Sequence, residues 1–208
     1  MRAQIIQHYI TSVKKNEKSP KGVFNFCEEL GISESDFYNE FSDLDEVNES
    51  ILPELWSEVV SALDEQSFYQ EASAGDKLLS TLYAFFEKLK ENRSYFLISY
   101  KDWKNPQESV KGMKHFRSSF LEYAKAIELD STEIGVDVVD KNTAKLSHNA
   151  LFANVLFVFH FWLNDRSKGF EKTDACIEKL FTLSLELIGN QTLKKAIDLG
   201  KFLFTQKK

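Results

Sequence analysis

Histidines, cysteines, carboxylates and hydroxyls are the side chains of this sequence that could do chemistry, and their spacing argues for binding. The four histidines, His8, His115, His148 and His160, fall in no H-x-x-x-H or H-E-x-x-H pattern, so no helical face gathers ligands for a catalytic metal. No G-x-S-x-G elbow, phosphate-binding loop or dinucleotide fingerprint occurs. The acids spread along helical faces, with no carboxylate pair set in an apolar run as an acid and base couple would be. Cys27 and Cys176 sit far apart on apolar faces and read as reduced core thiols rather than a disulfide or a metal site. The expectation is a binding protein with no catalytic residue, metal or cofactor.

One stretch does have telling spacing, residues 19–41, SPKGVFNFCEELGISESDFYNEF. Ser19 and Pro20 suit a helix start, and Val23, Phe24, Cys27 and Leu30 recur at helical spacing. Gly31 stops that helix where a left-handed residue is wanted. Ser33 then caps a second helix, whose apolar side is Phe37, Tyr38 and Phe41. A helix, a glycine turn and a capped helix make a helix-turn-helix; a plain helical hairpin has the same outline.

Gly31-Ile32-Ser33, Phe37-Tyr38, Phe41 and Ser42-Asp43 resemble the N-terminal DNA-binding region of TetR-type regulators, with spacing G-[VI]-S-x-x-x-[LF]-Y-x-x-F. The resemblance implies an all-α protein, with a helix-turn-helix head over residues 1–45 and a ligand-binding and dimerisation domain over 46–208. It makes Lys21, Ser33, Ser35, Tyr38 and Asn39 the DNA-binding candidates, Tyr38 toward phosphate and Asn39 toward a base. The chain departs from the family at several of its basic or hydroxyl positions. Lys21-Gly22 stands where a Thr or Ser is usual, Phe24 where an Arg is frequent, Glu34 where a Lys or Arg follows the turn, and Leu44 where a Lys opens the next helix. From 21 to 50 Lys21 is the sole base against nine acids, a net charge of −8. Affinity for DNA comes largely from neutralising phosphates, so duplex DNA is a partner that this charge opposes.

The rest of the chain of 208 residues has the composition of an all-helical protein, with 3 Pro and 8 Gly. Amphipathic stretches predict helices over residues 4–15, 43–63, 77–92, 93–103, 106–127, 143–164, 174–188 and 191–204, with Pro53 a candidate kink and 130–142 a long loop. The 18 Phe must fill a core, line a pocket or form an interface. Pocket candidates are Tyr83, Phe86, Tyr95, Phe96, Tyr100, Trp103, Phe116, Phe120, Tyr123, Phe152 and Phe159, with His148 and His160 as polar groups. They suit a hydrophobic small molecule or lipid, and equally an ordinary core. The last two long helices resemble the pair through which TetR-type proteins form homodimers, with Ala153, Phe157, Phe161, Ile177, Phe181 and Leu185 as seam candidates; burial inside one subunit is the other reading.

Residues 193–208 carry five Lys against one Asp, net +4. Leu193, Ile197 and Phe204 share a face there, so residues 191–208 suit a membrane surface or a partner's groove, or packing on their own domain. That combination is similar to the TetR-fold lipid-binding accessory proteins of coenzyme Q biosynthesis, which do not act on DNA. The apolar run at 150–163 is shorter than the ~20 residues of a membrane span. MRAQIIQHYI has too short an apolar run for an export signal, and the expectation is a cytoplasmic protein.

Overall fold

The computed structural model describes residues 1–100, 113–129 and 141–189, the last stretch with side chains from Ser147 to Leu187. Among the described residues there are ten α-helices, one 3-10 turn and no strand. The helices are α1 (Arg2–Asn16), α2 (Val23–Leu30), α3 (Glu34–Tyr38), α4 (Leu44–Asp64), α5 (Ser67–Gln70), α6 (Ala74–Lys90), α7 (Arg93–Ser99), α8 (Lys114–Ala126), α9 (Lys141–Asn164) and α10 (Glu171–Gly189). The sequence pattern finds all of these except α5, a single turn with no periodicity to read. The stretches 101–112, 130–140 and 190–208, with the loop and the terminal helix expected in them, lie outside the described residues.

Helix ends show the local chemistry. Gly31 closes α2 at φ 78°, and its N–H reaches the carbonyl of Cys27 at 2.8 Å. Ser33 and Asp36 form a reciprocal capping box at the start of α3, which satisfies two backbone donors that a helix start leaves open. Asp43 accepts from the backbone N–H of Glu46 at 2.7 Å, and Glu46 accepts in return from the N–H of Ser42 at 2.6 Å. One expectation is corrected. The helix does not begin at Pro20: Gly22 is the extended N-cap and α2 starts at Val23. A glycine two residues inside a helix costs roughly 1 kcal/mol relative to alanine, so the start falls beyond it. At Pro53 the helix runs on, and α4 is continuous around it.

The chain divides into two compact units. The first comprises Met1–Ala62 and Ala84–Ser119, the second Leu63–Tyr83 and the residues from Phe120 onward. In the first unit α1 packs on α7, and the Tyr95 hydroxyl donates to Asn48 Oδ1 at 2.6 Å. Its core holds Ile5, Tyr9, Phe26, Phe37, Val47, Ile51, Trp56 and Phe85, all buried. Trp56, Phe85 and Phe116 meet with ring centroids 5.1–5.7 Å apart. In the second unit α9 and α10 pack as a hairpin around Val155, Phe159, Trp162, Ile177 and Phe181.

Candidate functional site

The helix-turn-helix comes from the first 41 residues of the first unit. Phe26, Cys27 and Phe37 turn inward, and Phe26 meets Phe37 edge-on at 5.9 Å. With that side buried, the opposite side of α2 and α3 faces solvent. Lys21, Ser33, Ser35, Tyr38 and Asn39 are all exposed there. The Ser33 hydroxyl is engaged by the cap, 2.7 Å from Asp36 Oδ2 and 3.1 Å from the Asp36 N–H. Phe24 and Tyr38 are the large aromatics on this outer side, 58% and 53% exposed.

The cations around the head are few, and the first of them is already held. Arg2 donates to Glu54 Oε1 at 2.6 Å and to the Glu40 carbonyl at 3.0 Å, and its guanidinium lies 4.2 Å from the centre of the Phe41 ring. Lys14 donates to Asn92 Oδ1 at 3.2 Å. The Glu46 carboxyl is held below the usual carboxylate range, first by the Ser42 backbone N–H and then by the Ser42 side chain, against a small opposing effect of burial. It remains an anion at the foot of the turn.

The pocket candidates separate by unit. Phe86, Tyr95, Phe96 and Phe116 are buried in the first unit, and Tyr100 is half-buried. Tyr95 and Phe96 meet edge-on at 4.9 Å. Burial pushes the Tyr95 and Tyr100 phenols well up, so both stay neutral. In the second unit Phe120, Tyr123, His148, Phe152 and Phe159 are buried, Tyr83 is half-buried and His160 is exposed. Phe120 and Phe152 meet at 5.6 Å. Trp103 lies outside the described residues.

The second unit also holds a polar cluster that the sequence pattern missed. The hydroxyls of Tyr69, Thr81 and Tyr123 stand 2.7–2.8 Å from one another, and all three residues are buried. Thr81 lies 2.8 Å from the Lys77 carbonyl as well. Burial is the main reason that the Tyr123 phenol is pushed far up. Four contacts share three hydroxyl protons: with Thr81 donating to the Lys77 carbonyl, the two tyrosine protons serve two of the three contacts of the triangle at a time. A threonine and two tyrosines scattered over 54 residues leave no spacing to recognise.

On the α9–α10 hairpin the seam candidates part company. Ile177 and Phe181 are fully buried inside the chain, whereas Phe157 is 57% exposed and Ala153 is exposed; Phe161 and Leu185 are half-buried. Leu183 and Leu187, 54% and 46% exposed, were not singled out by the sequence pattern. Asn154 donates to Ser184 Oγ at 2.7 Å across the hairpin. At its closed end a cleft of about 400 Å³ is lined by Phe161, Asn164, Asp165, Arg166, Ser167 and Lys172. Among the described residues no three His, Cys, Asp or Glu converge as a metal site, and no helix is long and apolar enough to cross a membrane. Cys27 is buried and Cys176 half-buried, both free thiols.

Residues 77–203 match the family described as tetracyclin repressor-like, C-terminal domain. The chain belongs to the tetracyclin repressor-like family. The fold of this family member is similar to a solved transcriptional regulator, FadR from Bacillus subtilis, crystallised in complex with stearoyl-CoA. The two chains are 16% identical, with 91% of this chain and 98% of that one covered and a TM-score of 0.53. No curated protein matches the sequence. The family match and the helix-turn-helix head together confirm the all-α, TetR-like architecture expected from the turn motif.

Proposed function

We propose that this tetracyclin repressor-like protein is a ligand-responsive regulator whose C-terminal domain takes up a hydrophobic small molecule or lipid. The carrying observation is a complete helix-turn-helix, its turn glycine and capping box in place, on a chain whose residues 77–203 match the family's C-terminal domain. The stearoyl-CoA bound to the similar fold supports a long-chain acyl group as the first ligand to try. In such a protein a ligand acts by binding one conformation better than another, and it shifts the head only by that difference.

The working unit is a homodimer. Ala150, Ala153 and Phe157 on α9 and Leu180, Leu183 and Leu187 on α10 repeat at i, i+3, i+7, all exposed except the half-buried Leu180. An apolar stripe of this kind marks an association surface.

A specific observation favours a second reading of the head. With one base against nine acids between 21 and 50, it lacks the phosphate-neutralising charge that duplex binding draws on. In that reading the protein is a TetR-fold lipid carrier that leaves DNA alone and meets a membrane or an enzyme through residues 191–208. Native mass spectrometry of the purified protein tests the shared part: a co-purified lipid, or saturable uptake of stearoyl-CoA, is expected, and neither appearing sinks ligand responsiveness. Titration with its own upstream DNA at ~20 mM salt, where counterion release helps most, separates the readings. Binding retains the operator-bound regulator, and none leaves the carrier, whose membrane contact fails if anionic vesicles bind equally well without residues 191–208.

A further inference from the structure

The outer side of α2 and α3, where the regulator reading puts its DNA contacts, also carries an apolar pair that neither reading explains. Phe24 and Tyr38 stand 58% and 53% exposed, although the neighbouring aromatics Phe26, Phe37 and Phe41 are all buried. Val23 and Ile32, both half-buried, add apolar surface on the same pair of elements. Each exposed ring has a carboxylate one helical turn away, Glu28 four residues after Phe24 and Glu34 four residues before Tyr38, the spacing at which side chains are neighbours. Single exposed aromatics are common on protein surfaces. Two on the helices of a recognition motif, each flanked by an acid, are a different arrangement.

We propose that this face is a docking surface for a basic protein segment, a Lys- or Arg-bearing helix or loop that sets an apolar side chain against Phe24 and Tyr38. The inference rests on the second reading of the head, since it gives Tyr38 to a protein partner instead of to phosphate, and it holds whichever ligand the C-terminal domain takes. Charge complementarity selects the occupant. Glu28, Glu34 and Asp45 make no hydrogen bond or ion pair among the described residues, and Arg2, whose guanidinium lies over the Phe41 ring, is committed to Glu54 and the Glu40 carbonyl. The phenyl of Phe24 offers a phosphate no donor, so a duplex would lose a contact there while meeting a net charge of −8 over residues 21–50. A basic segment meets the opposite conditions. Its cations are steered in by the field and settle against the faces of Phe24 and Tyr38, while aromatic anchors within a polar rim carry most of the binding energy.

The test uses the full chain and a labelled synthetic helical peptide built of Leu, Lys and Arg, followed by fluorescence anisotropy. Controls are the same peptide with Glu replacing Lys and Arg, and a random-sequence duplex. The cationic peptide is expected to bind, and Phe24→Ser with Tyr38→Ser to weaken it about tenfold or more, the scale of a lost anchor pair. Glu28→Gln with Glu34→Gln is expected to weaken it less and to flatten its dependence on salt. Both rings are exposed, so thermal melts of the variants should coincide with the parent. The idea fails if the parent does not bind the cationic peptide, if the acidic peptide binds as well, or if the aromatic variant binds with parental affinity. It also fails if the duplex binds the parent and displaces the peptide.

Discussion

The outer side of α2 and α3 and the outer side of the α9–α10 hairpin both leave large apolar side chains in water, and they differ in what surrounds them. Around Phe24 and Tyr38 lie Glu28, Glu34, Asp36 and Glu40. Around Phe157, Leu183 and Leu187 lie Ala150, Ala153, Leu180 and Ser184, with Lys179 and Glu186, one charge of each sign, a helical turn either side of Leu183. A face whose few charges are of both signs and balance gains from permanent burial, and long-lived homodimer interfaces have that largely apolar composition. A face with an acidic rim discriminates among partners by charge and releases them when salt screens the attraction. One kind of exposed side chain therefore serves two kinds of association. The contrast teaches that the surroundings of an apolar residue, rather than its exposure, indicate what it meets.

The largest effect should come from charging the hairpin. Burying Phe157, Leu183 and Leu187 against a second copy is worth roughly 1.5–3 kcal/mol for each side chain. Phe157→Glu with Leu183→Glu should raise the dimer dissociation constant by about 100-fold or more, read by sedimentation velocity. Phe24→Glu with Tyr38→Glu should leave it unchanged. A parent that sediments as a monomer, or two pairs of substitutions with the same effect, would abolish the distinction between the faces.

Next in size is Asp165, which ties the turn of the hairpin to the first residues of α10. The residue is buried, and its carboxylate accepts from the Ser167 N–H at 2.8 Å, the Thr173 N–H at 3.0 Å and the Thr173 hydroxyl at 2.7 Å. Burial alone would push its pKa up, but these donors together outweigh it and hold the group below the ordinary carboxylate range. The sign of the pH dependence follows. A depressed folded pKa stabilises the protein above the unfolded carboxylate value of about 3.9, and that contribution is lost as pH falls through the folded value. Asp165→Ala strands buried donors and should cost about 2–3 kcal/mol, lowering the melting temperature, with a smaller difference from the parent in acid. A difference that does not shrink as pH falls would mean that the charge is not what stabilises the turn.

How much of this was legible in the sequence depends on how local the signal is. The α2–turn–α3 segment was readable because a glycine at positive φ, a Ser cap and aromatic spacing act over a few residues, and Gly31 and Ser33 do in the structure what their types require. The same segment hid the start of α2, since Pro20 and Gly22 give opposing signals two residues apart. On the hairpin, Ile177 and Phe181 share the helical periodicity of the exposed leucines, and a rotation of one helical step exchanges inside for outside. Periodicity finds a stripe but not which of two stripes is buried. The Tyr69–Thr81–Tyr123 cluster exists only because tertiary packing gathers residues with no common spacing.

In the head, the capping box sets the next effect. Ser33→Ala or Asp36→Ala should each cost about 1 kcal/mol and should speed hydrogen exchange at the N–H groups of α3, leaving the hairpin's exchange untouched. Equal acceleration in both regions would show that the two faces do not rest on separately stabilised elements.

The smallest effect belongs to Arg2, and it bears most directly on why the head is acidic. Its pairing with Glu54 is 39% and 40% exposed, so solvent screening leaves the ion pair worth no more than about 1 kcal/mol; its stem and guanidinium on Phe41 add packing that a methionine can largely replace. Arg2→Met should therefore lower stability by less than about 1 kcal/mol. If Arg2 is consumed by Glu54, Glu40 and Phe41 as its geometry indicates, removing it should scarcely change how the head binds a cationic peptide or a duplex. Appreciable loss of duplex affinity in Arg2→Met would instead assign that guanidinium to phosphate, and the acid-rimmed face would then have a second cation beside Lys21 to offer DNA.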